Sequence, residues 1–338
     1  MLESLEIENF RGIKKLKIDN FKNINFFIGK ANTSKTSLLE AMYISLEQSP
    51  ISLYILSMLR NVINDNDAFE ALFYDYNSNN IISFNYIFDN NEINIKLEKN
   101  GSNSFIISKN IDENNIINKL LFTIEKNDDK KNYSIEYNHI IGNITINPED
   151  KIYNDIIFIT VENMQNNFTL YNNLKTILSN DNYIEKFKEI YKQFDNKIND
   201  IRFLGNAIVV SLSNLNHAIN IKYMGKGFQT YISIIASMVA GNKYIVIDEI
   251  ENGMHFESIK ILLENILSLS KEYGLQFFIT THNKELLEIL NECLIEKDYK
   301  DMLSVYNLYY NKENNIDVIN YSQENFSNLI ENNNEMRD

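Results

Sequence analysis

The sequence predicts an α/β protein in which a parallel or mixed sheet is flanked by helices and an antiparallel lobe is inserted. Helix and strand patterns alternate through the last third, from Phe228 to Tyr310. Near the start, an apolar strand, a loop bearing Gly29 and Lys35, and a helical pattern follow one another. Between them, residues from about 51 to 155 alternate apolar and polar side chains between Asn-rich turns. The chain has 338 residues, 44% of them hydrophobic, with 20 Phe and 20 Tyr. At roughly 150 residues per domain it is long enough for about two lobes with a substantial core.

The elements read as follows. Leu5 and Ile7 alternate with Glu6 and Glu8 in a half-buried strand over 2–10, and Gly12 permits a turn into Ile13–Ile18, giving an antiparallel opening pair. Asn25–Gly29 is a short apolar strand, and Thr36–Glu47 has helical spacing of Leu38, Leu39, Met42 and Leu46. A helical piece over 52–61 then precedes the alternating runs 81–88, 93–97 and 105–107. Ile156–Val161 is continuously apolar, as a strand covered on both faces requires, and 171–201 is mostly helical. Helix 228–240, strand 244–248, helix 258–273, strand 276–280, helix 284–293 and a strand near 304–310 complete the chain. Residues 1–50 and 156–338 are therefore expected to form the two parts of one α/β core, and 51–155 an insertion lobe.

Composition excludes several classes. Thirty-two Lys and Arg against 46 Asp and Glu leave a net charge of -14, so polyanions are repelled overall and any DNA contact must be local. A single cysteine, Cys293, forms no internal disulfide, and His139, His217, His255 and His282 lack zinc-ligand spacing, so a reducing cytoplasm is the expected compartment. The acidic start Met1–Glu6 predicts no secretory leader. The most apolar stretch, Tyr231–Gly241, is shorter than the roughly 18 residues of a membrane span.

Chemistry concentrates in four segments. Gly29-Lys30-Ala31-Asn32-Thr33-Ser34-Lys35-Thr36, followed by Ser37, lies between a strand and a helix, as a phosphate-binding loop requires. Backbone N–H groups and the positive end of a helix attract phosphate, Lys35 reaches the β- and γ-oxygens, and Thr36 ligates magnesium. Ser34 departs from the pattern, which has Gly before the lysine and so keeps a Cβ away from the phosphate. Second, Tyr244-Ile245-Val246-Ile247-Asp248-Glu249 is an apolar strand ending in two carboxylates, Asp248 for the magnesium shell and Glu249 for the attacking water. Third, Gly225 and Gly227 open a helix shortly before that strand and form a second anion site. Fourth, Phe277–His282 is a strand ending in a histidine placed to bond the γ-phosphate. Asn283–Leu286 lacks the aspartate of a guanine-reading motif, so GTP specificity is unsupported.

Asp248 lies far downstream of Lys35, with the glycine pair just ahead of it, an order that fits the ABC-type plan rather than a ring-forming motor. The segments NFRGI (9–13), GKANTSKTSLLEA (29–41), MGKGF (224–228), VIDEIENGMH (246–255), ITTHNKELLE (279–288) and EMRD (335–338) together resemble the AAA15/AAA21 ATPases. These are relatives of the overcoming-lysogenisation-defect nucleases and, more distantly, of RecF, Rad50 and SMC proteins.

The resemblance implies a P-loop NTPase of ABC-ATPase type. ATP and magnesium are its cofactors, Lys35, Glu249 and His282 its catalytic residues, and Thr36 and Asp248 its metal ligands. It adds Arg11 near the nucleotide phosphates and has Gly225 and Gly227 presented across a homodimer or higher oligomer. Lys226 stands where relatives often carry Asp, and Gln48 and Gln165 are the candidates for a Q-loop glutamine.

The remainder after His282 is too short for the Toprim nuclease domain of the related nucleases. Any cleavage or toxicity is therefore expected from a separate effector, as in two-component phage-defence systems. Two other readings stay open: a regulatory scaffold that binds ATP and hardly hydrolyses it, and a DNA-binding or DNA-tethering protein. The first is separated by phosphate release, the second by salt-dependent DNA binding.

Overall fold

The computed structural model describes residues 1–62, 67–100, 104–106, 115–138, 143–148, 155–160, 168–296, 299 and 301–331. Its elements are, in order, β1 (Leu2–Phe10), β2 (Ile13–Asp19), β3 (Ile24–Gly29), α1 (Lys35–Glu47), α2 (Ile51–Leu59), β4 (Ile82–Phe88), β5 (Asn91–Lys99), β6 (Ser104–Ile106), β7 (Asn115–Lys126), β8 (Asp129–Asn138), β9 (Asn143–Asn147), β10 (Ile156–Ile159), α3 (Phe168–Ile177), α4 (Asp181–Phe194), β11 (Ile198–Leu204), β12 (Ala207–Leu212), β13 (Ile219–Asn220), α5 (Lys226–Val239), β14 (Tyr244–Ile247), α6 (Phe256–Tyr273), β15 (Gln276–Thr280), α7 (Lys284–Glu296), β16 (Leu303–Tyr310), β17 (Ile316–Ser322) and α8 (Gln323–Glu331). Two compact units result. One comprises Met1–Phe21, Gly29–Tyr153 and Asn307–Ile319, the other Lys22–Ile28, Asn154–Tyr306 and Asn320–Asp338.

In the first unit an eight-stranded sheet runs β2-β1-β4-β5-β7-β8-β9, with β6 on β7. The alternation read in β1 buries Leu2, Leu5, Ile7 and Phe10 and leaves Glu6 and Glu8 on the other face. β1 pairs antiparallel with β2, as expected, and also with β4, through Leu5↔Tyr86 and Ile7↔Phe84. The antiparallel strands after residue 80 therefore continue the opening pair. Aromatic contacts hold the buried face: Phe10 meets Phe84 edge-on at 5.2 Å, and Phe69 meets Tyr137 at 5.7 Å.

The second sheet runs β10-β14-β15-β3-β16-β17. β10, β14, β15 and β3 are parallel, with Phe158↔Val246, Ile247↔Ile279 and Thr280↔Phe27 in register. Strands covered on both faces read as unbroken apolar runs, and β3, β10 and β15 are buried at every residue. In-register parallel strands end together, so Ile28, Ile247 and Thr280 lie at one end of this sheet. Helices α5, α6 and α7 contribute Ile232, Ile235, Leu262, Ile266 and Leu290 to its core.

One stretch differs from its expected structure. Helical character over 171–201 stops at Phe194, where Asp195 caps α4 in an extended conformation. Ile198–Leu204 is instead β11, in a three-stranded sheet β11-β12-β13, with Ile198 and Ile201 buried. Among the described residues, no helix is long and apolar enough to cross a membrane.

Candidate functional site

The loop after β3 folds around its own lysine. The Lys35 ammonium donates to the carbonyls of Gly29 at 2.9 Å and Lys30 at 2.7 Å and to Thr33 Oγ1 at 3.3 Å, while Thr33 Oγ1 donates to Lys30 O at 2.9 Å. Thr33, Lys35 and Ser37 are buried, whereas Asn32 is exposed and Thr36 half-buried. Helix α1 starts at Lys35 with no acidic residue in its first turn and no side-chain bond from its N-cap, Ser34. Its first N–H groups and dipole end are thus presented by a loop that carries a cation.

Gly29 and Ser34 show what shapes the loop. A Cβ at Gly29, φ 139°, would lie 2.3 Å from the Leu308 carbonyl oxygen, so only glycine fits. Ser34 has φ 57° and ψ 28°, the left-handed region, which is the backbone reason a glycine is expected there. Its side chain is accommodated by another glycine: a Cβ at Gly12 would lie 2.4 Å from Ser34 Oγ.

Arg11, beside Gly12 in the β1–β2 turn, forms an ion pair with Glu40 of α1 at 2.5 Å, and Glu40 also pairs with Arg60. Glu40 is 1% exposed. Burial pulls the Arg11 guanidinium below its ordinary value, and Glu40 opposes that shift. A cavity of about 530 Å³, lined by Arg11, Gly12, Ser37, Arg60, Phe73 and Tyr74 among others, opens here beside the start of α1.

A second cluster stands at the carboxyl ends of β14 and β15. Thr280 Oγ1 donates to Asp248 Oδ1 at 2.6 Å and accepts the Glu249 N–H at 2.8 Å. Glu249 has φ 54°, a left-handed conformation of the kind that persists where surrounding bonds impose it. Its carboxylate lies 3.7 Å from His282 Nε2, both side chains being exposed by more than a third. Glu251 Oε1 accepts the His282 N–H at 2.8 Å, fixing the start of the loop after β15.

Gly225 and Gly227 sit at the start of α5, Gly225 as its N-cap. Gly225 is exposed, with open space where a Cβ would stand. Gly227 is buried, and a Cβ there would lie 2.3 Å from the Gly253 carbonyl oxygen in the turn after β14. The Thr230 hydroxyl donates to Lys226 O within α5 at 3.1 Å and also lies 3.4 Å from Asn252 O of that turn.

The structure thus gathers Arg11, Gly29, Asn32, Thr33, Ser34, Lys35, Thr36 and Ser37 in one unit, and Asp248, Glu249, His282, Gly225 and Gly227 in the other. Sequence reading missed Thr280, Glu251, Glu40 and Tyr310, whose hydroxyl donates to Asn32 O at 2.9 Å. Nothing in the local pattern marks their partners, although Thr280, Glu251 and Glu40 stand within motifs already singled out. Gln48 ends α1 as its left-handed C-cap. Gln165, His139 and the EMRD segment lie outside the described residues. Taken by residue chemistry alone, the Thr36 hydroxyl in one unit and the Asp248 carboxylate in the other are each hard oxygen donors of the type magnesium takes, and a cationic loop at an uncapped helix start is of the type that suits phosphate.

The family described as "AAA domain, putative AbiEii toxin, Type IV TA system" matches residues 24–288. A Helicobacter pylori protein named ATP/GTP phosphatase is 27% identical over 340 residues, covering 90% of this chain and 92% of its own. The DNA replication and repair protein RecF of Lactobacillus acidophilus is 52% identical over 42 residues, 12% of this chain and 11% of that one. Among solved structures, an SMC head bound to the C-winged helix domain of ScpA aligns with a TM-score of 0.56 at 14% identity, covering 95% of this chain and 97% of that one. The expected kinship and fold class are both borne out: the chain belongs to this AAA-domain family, and its fold is the P-loop fold of ABC-type ATPases that the SMC head also has.

Proposed function

We propose that this chain is an ABC-type ATPase that binds and hydrolyses ATP with magnesium at a homodimer interface, switching an effector protein or nucleic acid in phage defence. The observation that carries the reading is the buried Lys35 ammonium ringed by loop oxygens at the uncapped start of α1. Lys35 and the N–H groups of the loop hold the β- and γ-phosphates, with Arg11 beside them, and the cavity next to Arg11 and Ser37 takes the nucleoside. Thr36 and Asp248 would hold magnesium, which supplies charge neutralisation on the phosphates when bound. Thr280 keeps the Asp248 carboxylate oriented. Glu249 orients the attacking water and accepts its proton, and His282 bonds the γ-phosphate and reports its presence. Rate enhancement then comes from positioning and electrostatics, without a covalent intermediate.

Gly225 and Gly227 are the residues offered to the nucleotide of a second copy. On this reading 1–50 and 156–338 are the ATPase core and 51–155 its insertion, a functional division that cuts across the two compact units, since Met1–Phe21 and Gly29–Tyr153 pack together. The name of the Helicobacter pylori relative supports nucleotide hydrolysis, and the ScpA domain on the SMC head supports a protein partner. Glu249→Gln should trap ATP-bound dimers, seen by sedimentation, and Lys35→Ala should abolish nucleotide binding. An ATP-independent sedimentation profile together with unaltered binding by Lys35→Ala refutes the proposal.

Ser34, standing where the pattern has glycine, motivates a second reading, an ATP-binding scaffold with little turnover. Phosphate release by the unmodified protein separates the two.

A further inference from the structure

Three carbonyls of the phosphate loop are each held by a donor. The Lys35 ammonium takes those of Gly29 and Lys30. The third, that of Asn32, accepts the Tyr310 hydroxyl at 2.9 Å, from 278 positions away in the chain. Tyr310 is the last residue of β16, and the carbonyl of Leu308, two residues earlier, closes on Gly29. The end of β16 therefore backs the loop at its first residue and at its middle.

A trans peptide is planar, with its C=O and N–H pointing in opposite directions. The bond between Asn32 and Thr33 is trans, so holding the Asn32 carbonyl toward Tyr310 turns the Thr33 N–H to the opposite side. Asn32 has φ 63°, a left-handed turn of the kind that lets successive N–H groups form an anion-binding concavity. Asparagine enters that conformation more readily than other L residues, so the Tyr310 bond fixes the peptide in a turn that the residue type already permits.

We propose that Tyr310 is a positioning residue that fixes the Asn32–Thr33 peptide so that the Thr33 N–H faces the phosphates of the bound nucleotide. This rests on the nucleotide-binding reading above and assigns one of its determinants to a residue outside every motif that suggested it. In this role Tyr310 acts through the Asn32 carbonyl and not by contact with the nucleotide. Tyr310 is 46% exposed, so Tyr310→Phe removes one oxygen without opening a cavity.

The test uses the full chain and two probes, ATP and inorganic tripolyphosphate, each with magnesium, by calorimetry. Tyr310→Phe should weaken both about threefold to tenfold, the worth of one hydrogen bond. In protein labelled with ¹⁵N-threonine, tripolyphosphate should shift the Thr33 amide resonance strongly in the unmodified chain and weakly in Tyr310→Phe. A purely structural role lowers the thermal midpoint and leaves that shift alone. Should the variant prove less stable, the titrations are run well below its midpoint, where the folded protein is read directly. Equal affinities and equal Thr33 shifts, in a protein whose binding is abolished by Lys35→Ala, overturn the inference and leave nucleotide binding intact. No heat with either probe in the unmodified chain overturns the nucleotide-binding reading itself.

Discussion

Ser34 and Gly12 offer a test of how this loop tolerates a serine before its lysine. Ser34 is left-handed, which costs an L residue roughly 1–2 kcal/mol, while glycine pays roughly 0.5–1 kcal/mol in unfolded-state entropy. Ser34→Gly should therefore stabilise the protein by about 0.5–1 kcal/mol. Gly12→Ala places a Cβ 2.4 Å from Ser34 Oγ and 3.5 Å from Ser34 Cβ. The hydroxyl can escape only by leaving its rotamer, at about 0.5–1.5 kcal/mol. With glycine at 34 both obstacles vanish, so Gly12→Ala should then be nearly neutral.

The double-mutant cycle should show a coupling of about 1 kcal/mol, beyond the roughly 0.3–0.5 kcal/mol that independent sites reach. Urea unfolding followed by far-ultraviolet circular dichroism measures all four proteins. The rate of phosphate release should change by less than about threefold in Ser34→Gly, because the side chain is taken up at Gly12. Additive stabilities refute the packing of Ser34 on Gly12. A large rise in rate refutes the claim that the serine is harmless and favours the scaffold reading.

Two further outcomes follow from named contacts. Gly227→Ala puts a Cβ 2.3 Å from the Gly253 carbonyl oxygen and 3.1 Å from Met254 Cα, both backbone, so the turn must shift at about 1–3 kcal/mol, whereas Gly225→Ser, in open space at an N-cap, should leave thermal unfolding unchanged; equal midpoints for the two variants count against the described packing. Glu40→Gln leaves Arg11 buried without its counter-charge and should cost about 3–5 kcal/mol by urea unfolding, less if Arg60 swings into water, and a loss under about 1 kcal/mol contradicts the ion-pair geometry.

What the sequence revealed and what it hid divide along the range of the interactions. β3, β14, α6 and β15 were legible because burial on both faces of a strand, or along one face of a helix, prints a local apolar period, and α1 was legible from its apolar content at helical spacing although it is buried nearly all round. The phosphate loop and the pair Asp248–Glu249 were legible for the same reason, since each follows a strand whose end can be located. β11 was hidden because its residues follow a strongly amphipathic helix and bury only Ile198 and Ile201. The pairing of β1 with β4 was hidden because alternation shows that a strand has a buried face, and says nothing about which neighbour lies beside it.

The residues missed at the site obey that rule and sharpen it. Thr280 joins Asp248 and Glu249 from 32 and 31 positions away, and Tyr310 reaches Asn32 from 278. Each acts through a polar atom on a backbone or side-chain partner, and none contributes to a periodic apolar pattern. Motif residues bear the groups that would meet phosphate, metal or water, and their types are dictated by chemistry that can be read one position at a time. The residues that orient them need only a donor or acceptor at the right point in space, a requirement many side chains satisfy. A threonine at the end of a strand or a tyrosine at the end of β16 is therefore ordinary in sequence and becomes informative only when its partner is located. The preorganisation proposed for this site resides in that second group, so conservative changes such as Tyr310→Phe test it more sharply than removal of Lys35.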